Sequence, residues 1–221
     1  MSLTTLDSIK ANLAQSLSGI ERYNPNNIAT LENYVQVQVD DNGYDLEANL
    51  ALLKLYQFNP TMLNLEFVCK VLLKSLANLP HSDFLLCKSL LSEKILDDPH
   101  IKTIQNMANL LEECDFKQFW EKSKTDFSKL IKAIAGFEDS MRKFVCHVVS
   151  ATYQRIPEER LCELLGLSDE KILNQWIDKN GWTSTEDNFV TISNQDESIK
   201  TKKITEKIDM ESVAGIMASC F

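Results

Sequence analysis

The residue types that do chemistry are few in this chain and poorly spaced for it. Cys146-His147 is the adjacent thiol–imidazole pair, the start of a cysteine nucleophile with its base. Neighbouring residues on a helix point about 100° apart, so these two side chains would not face each other. No third group is spaced to orient the imidazole. His81 and His100 each follow a proline at a helix start without ligand-spaced neighbours, which makes no metal site. Cys69, Cys87, Cys114, Cys146, Cys162 and Cys220 show no short paired spacing, and most sit inside helical apolar patterns. They read as buried, reduced thiols of a cytosolic protein. With 6 glycines in 221 residues there is no glycine-rich loop to cradle a phosphate. These residues argue against an enzyme, and they predict no cofactor and no metal.

Nucleic-acid chemistry is the next class, because the elements of Gly136–Ile192 have the layout that often performs it. After Gly136, Met141, Val145, Val148 and Thr152 recur at helical spacing, widened by Phe137, Phe144 and Ala151. Ile156-Pro157 breaks the pattern and Pro157 opens a short helix with Leu161, Leu164 and Leu165 inward, ended by Gly166. Ser168 caps a third helix with Ile172, Leu173, Trp176 and Ile177 inward, stopped by Asn180-Gly181. Trp182–Ser184 and Phe189–Ser193 then form an antiparallel pair around Glu186-Asp187-Asn188. Three helices followed by a two-stranded wing is a winged-helix domain. Its reading head is acidic, however: Glu158, Glu159, Glu163, Asp169, Glu170 and Asp178 oppose only Arg160, Lys171 and Lys179. Affinity for nucleic acid comes largely from cations neutralising phosphates, so direct DNA binding is not expected and a protein partner is.

The whole-chain charge agrees. The net charge is −9, and the acids exceed the bases in both halves, which disfavours a membrane surface or nucleic acid as the main partner. Asp7 and Lys10 break the apolar run of Met1–Ser18, so it is not expected to be a signal peptide. No stretch approaches the ~20 apolar residues of a membrane span.

The first 135 residues hold no convincing strand. Leu6, Ile9, Leu13 and Leu17 make one helical stripe closed by Gly19; Pro25 starts another with Ile28, Leu31, Tyr34 and Val35 inward. Val35-Gln36-Val37-Gln38-Val39 alternates like a strand but lies in that helical frame. The helix from Asp45 is apolar nearly all round and is expected to be packed on several sides. Asn59-Pro60 opens a helix with Val68, Val71, Leu72 and Leu76 inward and Glu66, Lys70 and Lys74 as a solvated face. Pro80 introduces one bearing Phe84, Leu85, Leu90 and Leu91; Asp98-Pro99 introduces one with Ile101, Ile104, Met107 and Leu111. Phe116, Phe119 and Trp120, then Phe127, Leu130, Ile131 and Ile134, complete the region. Tyr23-Asn24-Pro25 and Phe58-Asn59-Pro60 repeat one start signal 35 residues apart, the spacing of stacked helix pairs.

The fold expected is therefore mainly α. A right-handed helical-repeat (HEAT-like) stack spans residues 1–135, a winged-helix domain spans 136–193, and a polar link with a C-terminal helix spans 194–221. Ile204, Ile208, Val213, Ile216 and Met217 share a face of that last helix. Phe189, Val190, Thr191 and Ile192 read as an edge strand with apolar residues on both faces. The wing edge and the terminal helix are the predicted partner surface.

The chain also resembles a known family. Gly19-Ile20-Glu21-Arg22-Tyr23-Asn24-Pro25, Tyr44-Asp45-Leu46-Glu47-Ala48-Asn49-Leu50-Ala51 and Leu53-Lys54-Leu55-Tyr56-Gln57-Phe58 carry the resemblance. So do Gly136-Phe137-Glu138-Asp139-Ser140, Arg142-Lys143-Phe144-Val145-Cys146-His147-Val148-Val149, Glu197-Ser198-Ile199-Lys200 and Ile216-Met217-Ala218-Ser219. Together they are similar to the k-subunit family of eukaryotic translation initiation factor 3, nearly end to end and in register. Agreement is weakest in Met1–Ser18, Thr61–Phe67, Ser92–Lys102 and Ser123–Lys132. The resemblance implies a helical-repeat domain followed by a winged helix, as in proteasome-lid and signalosome scaffold subunits. It also implies a peripheral, non-catalytic subunit that pairs with the l subunit and meets the small ribosomal subunit through the complex, in the cytoplasm and compatibly with nuclear presence. A nucleic-acid-binding winged helix, or a scaffold of a proteasome-lid or signalosome-type complex, is the alternative.

Overall fold

Asparagine and aspartate side chains start several of the helices in the computed structural model, which describes residues 19–167, 169–185, 187–192 and 210–219. The side chains of residues 20, 21, 170 and 210–212 are outside that description. The stripe Leu6–Leu17, Ser168, Ile204 and Ile208 also lie outside the described residues.

Asn24-Pro25 and Asn59-Pro60 each open a 3-10 turn, Pro25–Asn27 and Pro60–Met62, rather than a helix directly. Helix α1 (Ile28–Asp40) follows the first turn, and α2 (Leu46–Phe58) begins where the Asp45 carboxylate accepts from the Glu47 and Ala48 amides. Helix α3 (Leu65–Leu76) is capped by Asn64. Then come α4 (Asp83–Ser89), α5 (Glu93–Leu96), α6 (Pro99–Glu112, capped by Asp98), α7 (Phe116–Ser123, capped by Asp115) and α8 (Ser128–Lys132). Each such cap gives a partner to a helix-end amide that otherwise has none.

The alternating Val35–Val39 segment stays helical to the end of α1, and its second glutamine, Gln38, faces the core. Gln38 and Asn49 are both fully buried and bond each other: the Gln38 amide donates to Asn49 Oδ1 at 3.1 Å, and Asn49 donates back to Gln38 Oε1 at 3.3 Å. The Asp45 N–H donates to the same Gln38 oxygen. Polar atoms are carried into the core only with their bonds made. Helix α2 buries Ala48, Ala51, Leu52, Leu53, Leu55 and Tyr56 and packs against α1, α3 and α4, as its nearly continuous apolar surface requires.

One face differs from expectation. Glu66 and Lys70 form an ion pair at the surface, but Lys74 is only 3% exposed, its amine donating to Asn42 Oδ1 at 3.2 Å. Its place at helical spacing from two solvated charges concealed that the loop after α1 covers it. Leu85 also departs, 66% exposed on α4 while Phe84 beside it is buried. In α6, Ile101, Ile104, Met107 and Leu111 are all buried as the spacing predicts.

Helix α9 (Phe137–Thr152) starts at Gly136 in a left-handed conformation. Its buried stripe is Phe137, Met141, Phe144, Val145, Cys146 and Val149, so Cys146 and Val149 replace the expected Ala151 and Thr152, which are exposed. Packing against α8 on one side and α10 on the other turns the buried face by about one residue. Strand β1 (Arg155–Pro157), α10 (Glu158–Leu165), α11 (Glu170–Lys179), β2 (Thr183–Thr185) and β3 (Phe189–Thr191) follow, with α12 (Met210–Ser219) last. The cap of α11 is Asp169, whose carboxylate accepts from the Lys171 N–H. Leu173, Trp176 and Ile177 are buried there, whereas Ile172 is 40% exposed. A single hydrophobic cluster runs from Ile28 to Ile192, through α3 on α6, α6 on α7 and α7 on α10.

Candidate protein-interaction surface

Two short strands were expected in the carboxy-terminal region; the described residues form three, and the third alters the surface. Ile156 precedes Pro157, and a residue before proline is driven to extended backbone. Arg155–Pro157 accordingly pairs antiparallel with β3, Ile156 opposite Val190, and β2 pairs with β3 on its other side, Ser184 opposite Val190. The order β1-β3-β2 makes Phe189–Thr191 the central strand. This corrects the expectation of an edge at Phe189–Ile192: a strand bonded on both sides has no backbone left to offer another chain. The edges are β1 and β2, and Thr183, Ser184 and Thr185 of β2 are all exposed.

The predicted interface residues divide by depth. Val190 is fully buried and Ile192 nearly so, which makes them the floor of the sheet. Phe189 is half-buried with the Arg155 guanidinium 4.4 Å from its ring centroid, and Thr191 is exposed. Arg155 also bonds Asp187 at 3.3 Å, tying β1 to the hairpin turn. Ser184 donates to Glu158, which ties β2 to the start of α10. Trp182 is buried, 6% exposed, as a core residue. On α12, Val213 is half-buried while Ile216 and Met217 are 65% and 58% exposed. Large apolar side chains at that exposure on one helix are the usual material of a docking face.

The face that would read nucleic acid carries both signs. Asp169 at the start of α11 and Lys171, Asp178 and Lys179 on it are exposed, and the Arg160 guanidinium is held by Glu163 at 2.8 Å. Cys146 is buried, and burial pushes its thiol up to about 11, while His147 is exposed on the other side of α9. The pair therefore does not meet, and a thiol in that state supplies no thiolate near neutral pH. Among the described residues no cluster of three or more His, Cys, Asp or Glu is placed to hold a metal, and no helix is long and apolar enough to cross a membrane.

Two positioning residues were not evident from spacing. Trp120 of α7 is nearly buried, donates from Nε1 to the Leu164 carbonyl at 2.8 Å and packs on Gly166. Arg142 bonds Glu138 and Asp139 at 3.0 and 3.2 Å and lies 5.1 Å from the Trp120 ring centroid. Together they hold the sheet-bearing region against the helices before it. Only the run of aromatics Phe116, Phe119 and Trp120 hinted at such a joint.

Comparison with known proteins gives a consistent picture. The model of the CSN8/PSMD8/EIF3K family matches residues 62–203. Eukaryotic translation initiation factor 3 subunit K of Xenopus tropicalis is 48% identical over 217 residues, 98% of this chain and 99% of that protein. The Homo sapiens protein of the same name is 47% identical over the same span. That of Culex quinquefasciatus is 50% identical over 208 residues, 94% and 93% of the two chains.

Proposed function

The chain belongs to the CSN8/PSMD8/EIF3K family, and we propose that it serves as a non-catalytic scaffold subunit of eukaryotic translation initiation factor 3. In this reading it contributes protein–protein contacts to the assembly that binds the small ribosomal subunit as protein synthesis begins, in the cytoplasm. The observation that carries it is the likeness along the whole chain to proteins of that name, at about half identity with nothing large left over on either side. Likeness restricted to a fold would say little about function; likeness along nearly the whole chain says more.

We read residues 1–135 as a HEAT-like helical-repeat domain, 136–193 as a winged-helix domain, and 194–221 as a polar link with a terminal helix. The repeated aromatic-Asn-Pro starts support the first; the order helix, strand, helix, helix, hairpin supports the second. The assembly surface of this reading is the outer side of the sheet together with α12. Phe189 and Thr191 are reached from outside, Val190 and Ile192 support them, β2 supplies the pairing edge, and Val213, Ile216 and Met217 supply apolar anchors. Ile204 and Ile208, expected from spacing to share that face, lie outside the described residues. The nearest neighbour is the l subunit. A winged-helix nucleic-acid reader is the weaker reading, because α10 and α11 offer no basic stripe.

Val213→Asp with Ile216→Asp tests the surface, since both positions are at least partly exposed and the fold tolerates the change. Retention of l-subunit binding at least roughly tenfold weaker than wild type is the expected result of a pull-down titration, about 1.4 kcal/mol. Undiminished binding by a folded double variant would remove α12 from the interface.

A further inference from the structure

The amino-terminal side of the helical layers has a groove that plays no part in the surface described above. Leu50 and Ala51 of α2, Leu86 of α4 and Leu90 just after it form its floor, Arg22 and Lys54 stand on its walls, and it encloses about 260 Å³. Beside it Tyr23 and Phe58 meet edge to face at 5.9 Å, with the Lys54 amine 6.0 Å from the Tyr23 ring centroid. Tyr23, Phe58 and Leu86 are 46%, 59% and 44% exposed. Aromatic rings and an arginine beside an apolar depression are the composition of interface anchors rather than of ordinary surface. On the far side of Leu90 lies a second depression of about 120 Å³, lined by residues such as Leu53, Pro60 and Ile95. Leu90 thus lines two apolar hollows that both border α2, which together offer apolar contact to more than one side chain of a docked helix.

Charge identifies the occupant. Both charged side chains on the groove wall are cations, in a chain whose net charge is −9. Glu47 approaches Arg22 only to 3.9 Å with both side chains open to solvent, a pairing that a second carboxylate readily displaces. We propose that this groove docks an acidic amphipathic helix of another protein, its apolar stripe filling the hollows on either side of Leu90 and its carboxylates meeting Arg22 and Lys54. The groove is a binding site separate from the sheet and α12, and gives the chain a second partner.

Two synthetic helices of roughly 16 residues test this on the full chain by fluorescence anisotropy. One carries leucine at helical spacing with glutamate elsewhere; the other has lysine in place of each glutamate. The glutamate peptide binds about tenfold more tightly at low salt, and added salt narrows the difference. Leu86→Asp weakens it at least about fivefold, and Lys54→Glu shifts the preference toward the lysine peptide; both sites are surface positions where the fold is retained, checked by circular dichroism. Equal binding of the two peptides, binding of neither, or indifference to both substitutions overturns the proposal. Displacement of the glutamate peptide by a peptide of residues 1–18 also overturns it, because the groove's occupant is then the chain's own amino end.

Discussion

Trp120 and Gly166 touch so closely that nothing larger than glycine fits: a Cβ at Gly166 would lie 2.5 Å from the Trp120 ring. Gly166 also has φ +63°, a left-handed conformation that ends α10 and that side-chain-bearing residues adopt only at a cost. The Trp120 indole N–H bonds the carbonyl of Leu164 in the same helix end. One ring therefore reads both the shape and the backbone polarity of the α10 terminus, and seats the sheet-bearing region on α7.

Gly166→Ala is expected to destabilise the protein by about 3 kcal/mol, combining the left-handed backbone cost with overpacking against Trp120. Urea unfolding measures it. Trp120→Leu removes the obstruction together with the hydrogen bond, so the double variant costs less than the two single changes summed. Strict additivity would mean that ring and glycine do not constrain each other.

Lys74 is a charge placed where water does not reach it well. Burial lowers its amine to about 8, against about 10.4 for a free lysine. Between those values the unfolded chain holds a proton that the folded chain has released, so stability rises with pH there, and the full penalty applies below pH 8. Lys74→Met is expected to stabilise by on the order of 2 kcal/mol at pH 7. That advantage shrinks as pH rises from 8 toward 10. Urea midpoints of both proteins at pH 7 and pH 9.5 check it; an advantage independent of pH would show Lys74 to be solvated.

The buried amide pair gives a third outcome. Gln38→Ala leaves the buried Asn49 amide without its partner in the core and removes one acceptor from the half-buried Asp45 N–H, at a cost of about 2–3 kcal/mol. Adding Asn49→Leu recovers part of the loss, because an apolar group needs no bond. Thermal unfolding of the wild type and the two variants separates this from a simple cavity effect, in which the second substitution would add to the loss.

Thiol reactivity follows burial. Burial raises Cys69, Cys87 and Cys146 each to about 11, while Cys114 lies exposed at the end of α6. Iodoacetamide at pH 8, read by peptide mass mapping, is expected to modify Cys114 well before Cys87 and Cys146, which react only on unfolding. Early modification of Cys146 would contradict its place in the α9 core.

Local pattern was a good guide where a helix meets one neighbour, and a poor one where distant parts of the chain meet. The stripe Ile101, Ile104, Met107 and Leu111 and the stops at Gly166 and Asn180-Gly181 were legible, since spacing and turn chemistry determine them. Lys74 was not, because its burial depends on Asn42, which is 32 residues away. Strand β1 was hidden between a helix end and a proline, and its existence depends on pairing with residues 189–191. That pairing in turn converted the supposed edge at Phe189–Ile192 into the centre of the sheet, moving the open edge of the candidate site to β2. On α12 Ile216 and Met217 are exposed, and so are their neighbours from Ala214 to Ser219, so exposure alone marks no single face of that helix.

The central claim is membership in a multi-subunit initiation factor, and affinity purification of the tagged full chain from cytosolic extract, followed by mass spectrometry, tests it most directly. The account predicts recovery of the other subunits of translation initiation factor 3, with the l subunit the most abundant. Recovery of the chain alone, or with proteasome-lid or signalosome subunits in their place, would contradict it.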